Sequence, residues 1–269
     1  MPELPEVEVL ARHLDDALRG KIIREVSVHR AKSIRPTSAR AMRGKLVGTK
    51  FRAVMRRAKY LLFELKPPRR EPFILLGHLG MTGRMYLQPQ RRDLPKHAAV
   101  SLTLCRKRFV FEDTRYFGRI TLDLAPLETL GPEPLEAGFD GAALFLALRR
   151  CTQAIKPKLL DQSLLAGVGN IYASEALFGA RIRPTTPSGR ISRPRMQRLV
   201  AEIKAVLQRA IDCGGTTIND YLGSGDGGRF QQELAVYGRA GEGCIVCDKP
   251  ITNKVLSGRS TFYCTTCQH

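Results

Sequence analysis

The apolar residues Val7, Leu10, Ala11, Leu14 and Leu18 recur at intervals of three and four, which predicts an amphipathic helix over residues 5–19. Pro5 falls in its first turn and Gly20 stops it. From residue 21 to 124 the pattern shortens to runs separated by turn residues: Ile22–Val28, Tyr60–Leu65, Phe73–Leu79, Val100–Leu104, Phe109–Phe111 and Ile120–Leu124. That spacing predicts strands of a β-sandwich or barrel. Gly131-Pro132-Glu133-Pro134-Leu135 has no period and predicts a hinge between domains. Helices are then expected at 141–150, 157–165, 170–178 and 194–212, the last with Leu199, Val200, Ile203, Val206, Leu207, Ala210 and Ile211 on one face. Residues 213–230 are rich in glycine, and their second part, Asp220 to Gln231, predicts a mobile loop. The fold class is therefore α+β: an N-terminal helix and β-sandwich, then a helical domain. The expected division is 1–130, a linker at 131–140, a helical domain at 141–235 and a C-terminal finger at 236–269.

Charge adds a partner. The chain has 269 residues, with 44 Lys and Arg against 25 acidic residues and a net charge of +19. A surface so basic attracts a polyanion, and nucleic acid is the leading expectation. No apolar run is long enough to cross a bilayer, and Glu3, Glu6, Glu8, Asp15 and Asp16 stand where a secretory leader would be basic. The cytoplasm is the expected location, without membrane association.

Seven cysteines are an odd number, and four of them form Cys244-x2-Cys247 and Cys264-x2-Cys267, 16 residues apart. This spacing predicts one structural Zn2+ with four thiolate ligands, and such a shell leaves no position open for substrate. The run between can form a hairpin, with Lys254–Leu256 and Thr261–Tyr263 as strands about Ser257-Gly258, presenting Arg259 to a phosphate. Cys105, Cys151 and Cys213 are expected to be inert core thiols.

The N-terminus carries candidate chemistry. A small second residue permits removal of Met1, which leaves a secondary amine at Pro2. An α-amine titrates near pH ~8, so part of it is neutral and nucleophilic at neutral pH, and such an amine can form an iminium with a sugar carbon. Glu3 and Glu6 supply carboxylates for proton transfer. Taken alone, these residues read first as a proline-rich helix entry bearing solvated acids, and the chemistry does not follow from them without more.

Pro2-Glu3-Leu4-Pro5-Glu6-Val7, Arg57-Ala58-Lys59-Tyr60-Leu61, His78-Leu79-Gly80-Met81, Gly167-Val168-Gly169-Asn170-Ile171-Tyr172-Ala173, Val236-Tyr237-Gly238-Arg239 and the cysteine ribbon together resemble the bacterial formamidopyrimidine-DNA glycosylase family across essentially the whole chain. The resemblance implies a base-excision repair glycosylase and abasic-site lyase for oxidised purines, 8-oxoguanine and formamidopyrimidines, in double-stranded DNA. It implies that Pro2 attacks C1′ of the damaged nucleotide and drives β- and δ-elimination, with Glu3 as general acid/base. By the same resemblance Lys59 assists the lyase steps and binds phosphate, and Arg259 contacts phosphate and helps δ-elimination. It also implies a helix-two-turn-helix around Asn170. Met81, Arg115 and Phe117 match the residues that fill the gap left by a flipped base. His78, His97, Asn170 and Tyr237 match DNA contacts. A bacterial, nucleoid-associated monomer is expected.

The chain departs from the family pattern at Asp113-Thr114-Arg115-Tyr116-Phe117-Gly118, where Tyr116 stands in place of a second arginine. The glycine-rich Asp220–Gln231 stretch leaves lesion selectivity open. Two other readings remain: an endonuclease VIII-like enzyme for oxidised pyrimidines, and a zinc-ribbon DNA-binding protein without catalysis.

Overall fold

The structure is a computed structural model and describes residues 2–215 and 230–269. The expected loop at 220–231 lies almost entirely outside them. The chain divides into two compact units, each taken by itself: one runs to Glu128, the other comprises Thr129–Cys213 and the C-terminal segment to His269.

In the first unit, helix α1 spans Leu4–Leu18 and buries Leu4, Val7, Leu10, Ala11, Leu14 and Leu18 along one face. Glu3 is its N-cap, and the Glu6 carboxylate reaches back to accept the Glu3 N–H at 2.9 Å. After Gly20 (φ 80°) the chain reverses. The helix runs antiparallel to strand β2, Lys50–Arg57. The Gly20 N–H donates to the Phe51 carbonyl at 2.8 Å. Asp15 Oδ1 accepts from the Val54 N–H at 2.8 Å, and Glu8 takes Arg56 Nε at 2.7 Å. Burial opposes ionisation of Glu8, but hydrogen bonds from Arg56 and Arg12 outweigh it and hold the carboxyl below its usual value. The Arg12 and Arg19 side chains are well exposed, so their pairs contribute about 0.3–0.5 kcal/mol each. The half-buried Arg56 pair and the Val54 bond therefore set the register.

Two antiparallel four-stranded sheets follow. One has the order β2, β3 (Tyr60–Lys66), β4 (Phe73–His78), β8 (Arg119–Thr121); the other β1 (Glu25–Val28), β6 (Ala98–Thr103), β7 (Lys107–Asp113), β5 (Gly83–Pro89). Their facing sides share one core with α1, in which Phe63 meets the Phe51 ring at 6.2 Å and the Phe109 ring of the other sheet at 5.6 Å. This is the expected sandwich. Helix α2, Ala39–Leu46, is capped by Ser38, and a short helix α3 spans Ala125–Glu128.

Sequence patterning missed α2, α3, β2 and β5. β2 is interrupted by Arg52, Arg56 and Arg57, β5 has few apolar residues, and α2 shows only Met42 and Leu46 on its buried side. The expected strand at Ile22 begins only at Glu25, since Ile22 makes an isolated bridge to Lys50 and is exposed.

The second unit contains α4 (Gly141–Leu148), α5 (Ile155–Leu159), α6 (Asn170–Gly179) and α7 (Arg193–Asp212), then hairpin β9 (Thr252–Leu256) and β10 (Arg259–Tyr263). The buried face of α7 packs on α4 and α6. Gly131 N–H bonds the Gln162 carbonyl and Ala166 N–H the Pro132 carbonyl, so the 131–135 segment is pinned to the 160–166 turns. The expected helix at 157–165 is shorter and earlier, because turns at Leu160–Leu165 close on Asp161 instead.

The three remaining cysteines are not core thiols. Cys105 is exposed in the β6–β7 turn, and Cys151 and Cys213 are half-buried at the ends of α4 and α7, where no apolar shell closes over them. Among the described residues no helix is long and apolar enough to cross a membrane. Because Phe63 joins both sheets, Phe63→Ala is expected to cost about 3–5 kcal/mol in chemical denaturation followed by circular dichroism.

Candidate active site and nucleic-acid interface

Pro2 and Glu3 are buried at the start of α1, Glu3 to 3 % exposure. Moving toward the helix start from Asp15 to Glu8 moves the contact along β2 from Val54 to Arg56. The same register carries Glu3 and Pro2 toward the turn that follows β2. That turn is Ala58-Lys59, with Arg57 paired to Tyr60 across it. Ala58 is wholly buried at φ 52°, a conformation that costs an L-residue about 1–2 kcal/mol, and Lys59 beside it is only 7 % exposed.

On the neighbouring strand, His78 pairs with Tyr60, the two rings 4.7 Å apart. Burial, then the charges of Lys59 and Arg119, push its pKa down to about 4. Its Nδ1 accepts the Gly80 N–H at 3.1 Å. A neutral ring with Nδ1 accepting carries its proton on Nε2, so His78 is a donor at neutral pH.

Met81 lies in the β4–β5 turn, and Arg115 and Phe117 lie between β7 and β8. Met81 is 40 % and Phe117 49 % exposed, which excludes the core-packing role open to both from sequence. Arg115 is also exposed, its guanidinium 4.8 Å from the Phe117 ring centre. The two turns are joined by Asp113, itself fully buried. Its Oδ1 accepts from Thr82 Oγ1 at 2.6 Å and the Arg115 N–H at 3.1 Å, and its Oδ2 accepts the Gly118 N–H at 2.7 Å. A Cβ on Gly80 would meet Gly118 N at 2.6 Å, so the turns touch backbone to backbone. Tyr116, at φ 52°, meets His97 Nδ1 through its hydroxyl at 3.2 Å.

In the second unit, Asn170 opens α6 and its Nδ2 donates to the Ser260 carbonyl at 3.0 Å. Lys156, 1 % exposed, donates Nζ to the same carbonyl and to Thr261 Oγ1, both at 2.9 Å. Arg259 precedes Ser260 and is exposed directly after Ser257 (φ 47°) and Gly258 (φ 73°), the paired positive φ of a two-residue hairpin turn. The start of α6 and Arg259 are thus held at one place. Glu175 of α6 accepts the N–H groups of Ala235, Val236 and Tyr237 at 2.8, 3.0 and 2.8 Å. Burial nevertheless holds Glu175 above its usual carboxylate value. The Tyr237 ring stands edge-on to Phe262 at 5.1 Å.

The sulfurs of Cys244, Cys247, Cys264 and Cys267 lie within 4.8 Å of one another. Cys244 to Cys267 is 3.9 Å and Cys247 to Cys264 is 3.4 Å. A tetrahedron with metal–sulfur bonds of about 2.3 Å has edges of about 3.8 Å, so the donor set fits one zinc ion.

Known proteins agree with this geometry. Residues 1–120 match the formamidopyrimidine-DNA glycosylase N-terminal domain, 130–221 its H2TH domain, and 241–269 the zinc finger found in FPG and IleRS. The formamidopyrimidine-DNA glycosylase of Pseudomonas paraeruginosa is 43 % identical over 276 residues, covering all of both chains. This chain belongs to the formamidopyrimidine-DNA glycosylase family. Among solved structures, a Lactococcus lactis family member bound to Fapy-dG-containing DNA is 33 % identical, with a TM-score of 0.93 over 99 % of both chains. A Lactococcus lactis complex with abasic-site DNA gives 34 %, 0.92 and the same coverage.

Against that family frame, sequence reasoning named the exposed residues of each turn and missed those that hold them. Asp113 appeared only as the first letter of a motif, and Lys156 and Glu175 were not singled out. A lone charge within a helix whose neighbours are apolar was the available signal for Glu175.

Two predictions arise here. Below its ordinary value of 6.5, the unfolded chain takes up a proton that folded His78 refuses. Stability should therefore fall as pH drops from 6.5 toward about 4, and His78→Asn, keeping an acceptor for Gly80, should flatten that segment of a denaturant-midpoint profile. For the cysteine cluster, metal analysis should find one zinc per chain. Cys264→Ala should abolish it and open the small core of Phe178, Val236 and Ile251 to limited proteolysis.

Proposed function

We propose that this chain is a bifunctional base-excision repair enzyme that removes oxidised purines, 8-oxoguanine and formamidopyrimidines, from double-stranded DNA and cleaves the resulting abasic strand. The observation that carries the reading is the register of α1 on β2, which directs the Pro2 amine and Glu3 toward the Lys59 turn. The Lactococcus lactis relatives bound to Fapy-dG-containing and abasic-site DNA support the substrate class.

With Met1 removed, the neutral Pro2 nitrogen attacks C1′ and the bond to the base breaks; the proton that the Pro2 nitrogen sheds balances the one that the departing base takes up. Opening of the sugar ring gives an iminium whose ring oxygen takes a proton from Glu3. Loss of a C2′ proton then expels the 3′ phosphate, and a second elimination expels the 5′ phosphate. Burial of Glu3 keeps water from competing for the transferred proton. Lys59 brings a cation to the eliminated phosphate. His78 donates a hydrogen bond from Nε2 without carrying charge. Met81 and Phe117 occupy the space of the extruded base, and Arg115 pairs with the orphaned cytosine. His97 orients Tyr116 in the same turn. In the second unit, Asn170, Tyr237 and Arg259 bind backbone phosphates, and the four cysteines hold zinc, which fixes the hairpin that presents Arg259.

The same reading assigns catalysis to residues 1–130, DNA binding to 141–235 and 236–269, and linkage to 131–140. It makes the protein a monomer working on DNA in the bacterial cytoplasm.

Borohydride reduction during incubation with 8-oxoguanine·cytosine duplex is expected to trap a covalent adduct. Pro2→Gly should trap poorly, an N-terminally extended chain not at all, and Glu3→Gln should lose base release by about 10²-fold or more. Absence of adduct from the native chain overturns the mechanism. Stronger trapping on thymine glycol than on 8-oxoguanine overturns the purine assignment.

A further inference from the structure

The turn bearing Arg115 and Phe117 holds more positive charge than its sequence shows. Arg30, at the end of β1, is exposed and lays its guanidinium over the Tyr116 ring, 5.1 Å from the centre. Arg30 caps the short 3-10 helix Ala31–Ile34, which packs on β8 immediately after the same turn. Its backbone is fixed as well, since the Arg30 N–H donates to the Ala99 carbonyl and its carbonyl accepts from Ser33. Tyr116 is itself held by its hydroxyl contact with His97 and by its left-handed backbone. The ring is therefore a fixed platform, and stacking on it restricts a side chain that is otherwise mobile.

Arg115 stacks on Phe117, and Arg119 donates Nη1 to the Gly118 carbonyl at 3.1 Å. Three guanidinium groups thus converge on the five residues 114–118. The acid that adjoins them, Asp113, is buried and engaged by one hydroxyl and two N–H groups. Among the described residues none of these three arginines forms an ion pair with a carboxylate. An exposed, immobilised guanidinium with its donors unspent is a phosphate ligand.

We propose that Arg30, positioned by stacking on Tyr116, is a DNA-phosphate contact of this protein, on the same face as the gap-filling residues Arg115 and Phe117. The proposal rests on the function stated above. It makes Tyr116, which has no charge of its own, the residue that delivers a cation beside the flipped nucleotide. A phosphate contact carries no base information, so Arg30 serves affinity for duplex DNA in general and Tyr116 serves Arg30.

The test is the salt dependence of binding, measured by fluorescence anisotropy on matched duplexes with and without an 8-oxoguanine, for the native chain, Arg30→Ala, Tyr116→Asn and the double variant. Asn is chosen because it tolerates the positive φ that Tyr116 adopts. Arg30→Ala is expected to weaken both duplexes equally, by about tenfold at moderate salt, and to lower the slope of log K against log salt by about 0.9. Tyr116→Asn should reproduce most of that loss, and the double variant should be no weaker than Tyr116→Asn alone. Arg30→Lys should keep the slope and lose affinity, since it retains the charge without the flat stack. An unchanged slope in Arg30→Ala overturns the phosphate contact. Additive losses in the double variant overturn the role of Tyr116, and a loss confined to the 8-oxoguanine duplex reassigns Arg30 to base recognition. Native protein that binds neither duplex would instead defeat the underlying reading of function. Thermal melts matching the native chain exclude unfolding as the source of any loss.

Discussion

A catalyst that uses its own N-terminal amine must solve a problem that side-chain nucleophiles do not face: the end of a chain is ordinarily its least ordered part. On the proposed reading of Pro2, the solution is the register between α1 and β2. The Val54 N–H bond to Asp15 and the Arg56 pair with Glu8 fix the helix along the strand, and the Glu6 carboxylate closes the last step by holding the Glu3 N–H. The terminus inherits the rigidity of a sandwich core through one helix. The apolar face of α1 supplies the energy, since each buried leucine or valine contributes about 1.5–3 kcal/mol, whereas the exposed pairs along the helix add only tenths. The polar bonds choose the position and the hydrophobic face makes it stable.

The turns that bear Met81 and Phe117 follow a similar logic. Large apolar side chains exposed to water are tolerated only where something other than their own burial orders the backbone. Asp113 does so: a buried carboxylate with three donors is costly to leave unsatisfied, so the Thr82 and Gly118 turns are compelled to meet. Gly80 and Gly118 allow that meeting, because no Cβ fits between them. Met81 and Phe117 can then stay in solvent without the turns collapsing inward.

The helix of residues 4–18, the sandwich, the cysteine finger and the hairpin about Ser257-Gly258 were legible because each rests on a local pattern: a period, a spacing, a turn pair. Elements such as α2, β2 and β5 were not, because arginines and single glycines interrupt their periods and burial is settled by neighbours distant in sequence. The same division runs through the functional residues. Exposed side chains such as Arg115, Phe117 and Arg259 were named through family resemblance and stand where a ligand can reach them. The residues that orient them, Asp113, Lys156 and Glu175, act through backbone atoms from 2 to 104 positions away, most of them beyond the reach of a short motif. Tyr116, read from sequence only as a departure, became intelligible when Arg30 was found on its face.

The Ser260 carbonyl, shared by Lys156 and Asn170, joins the metal-bearing hairpin to the first residue of α6. One oxygen atom thereby serves as the mechanical coupling between an inorganic cofactor and a helix terminus. Losing the metal would therefore loosen the start of α6 together with the hairpin.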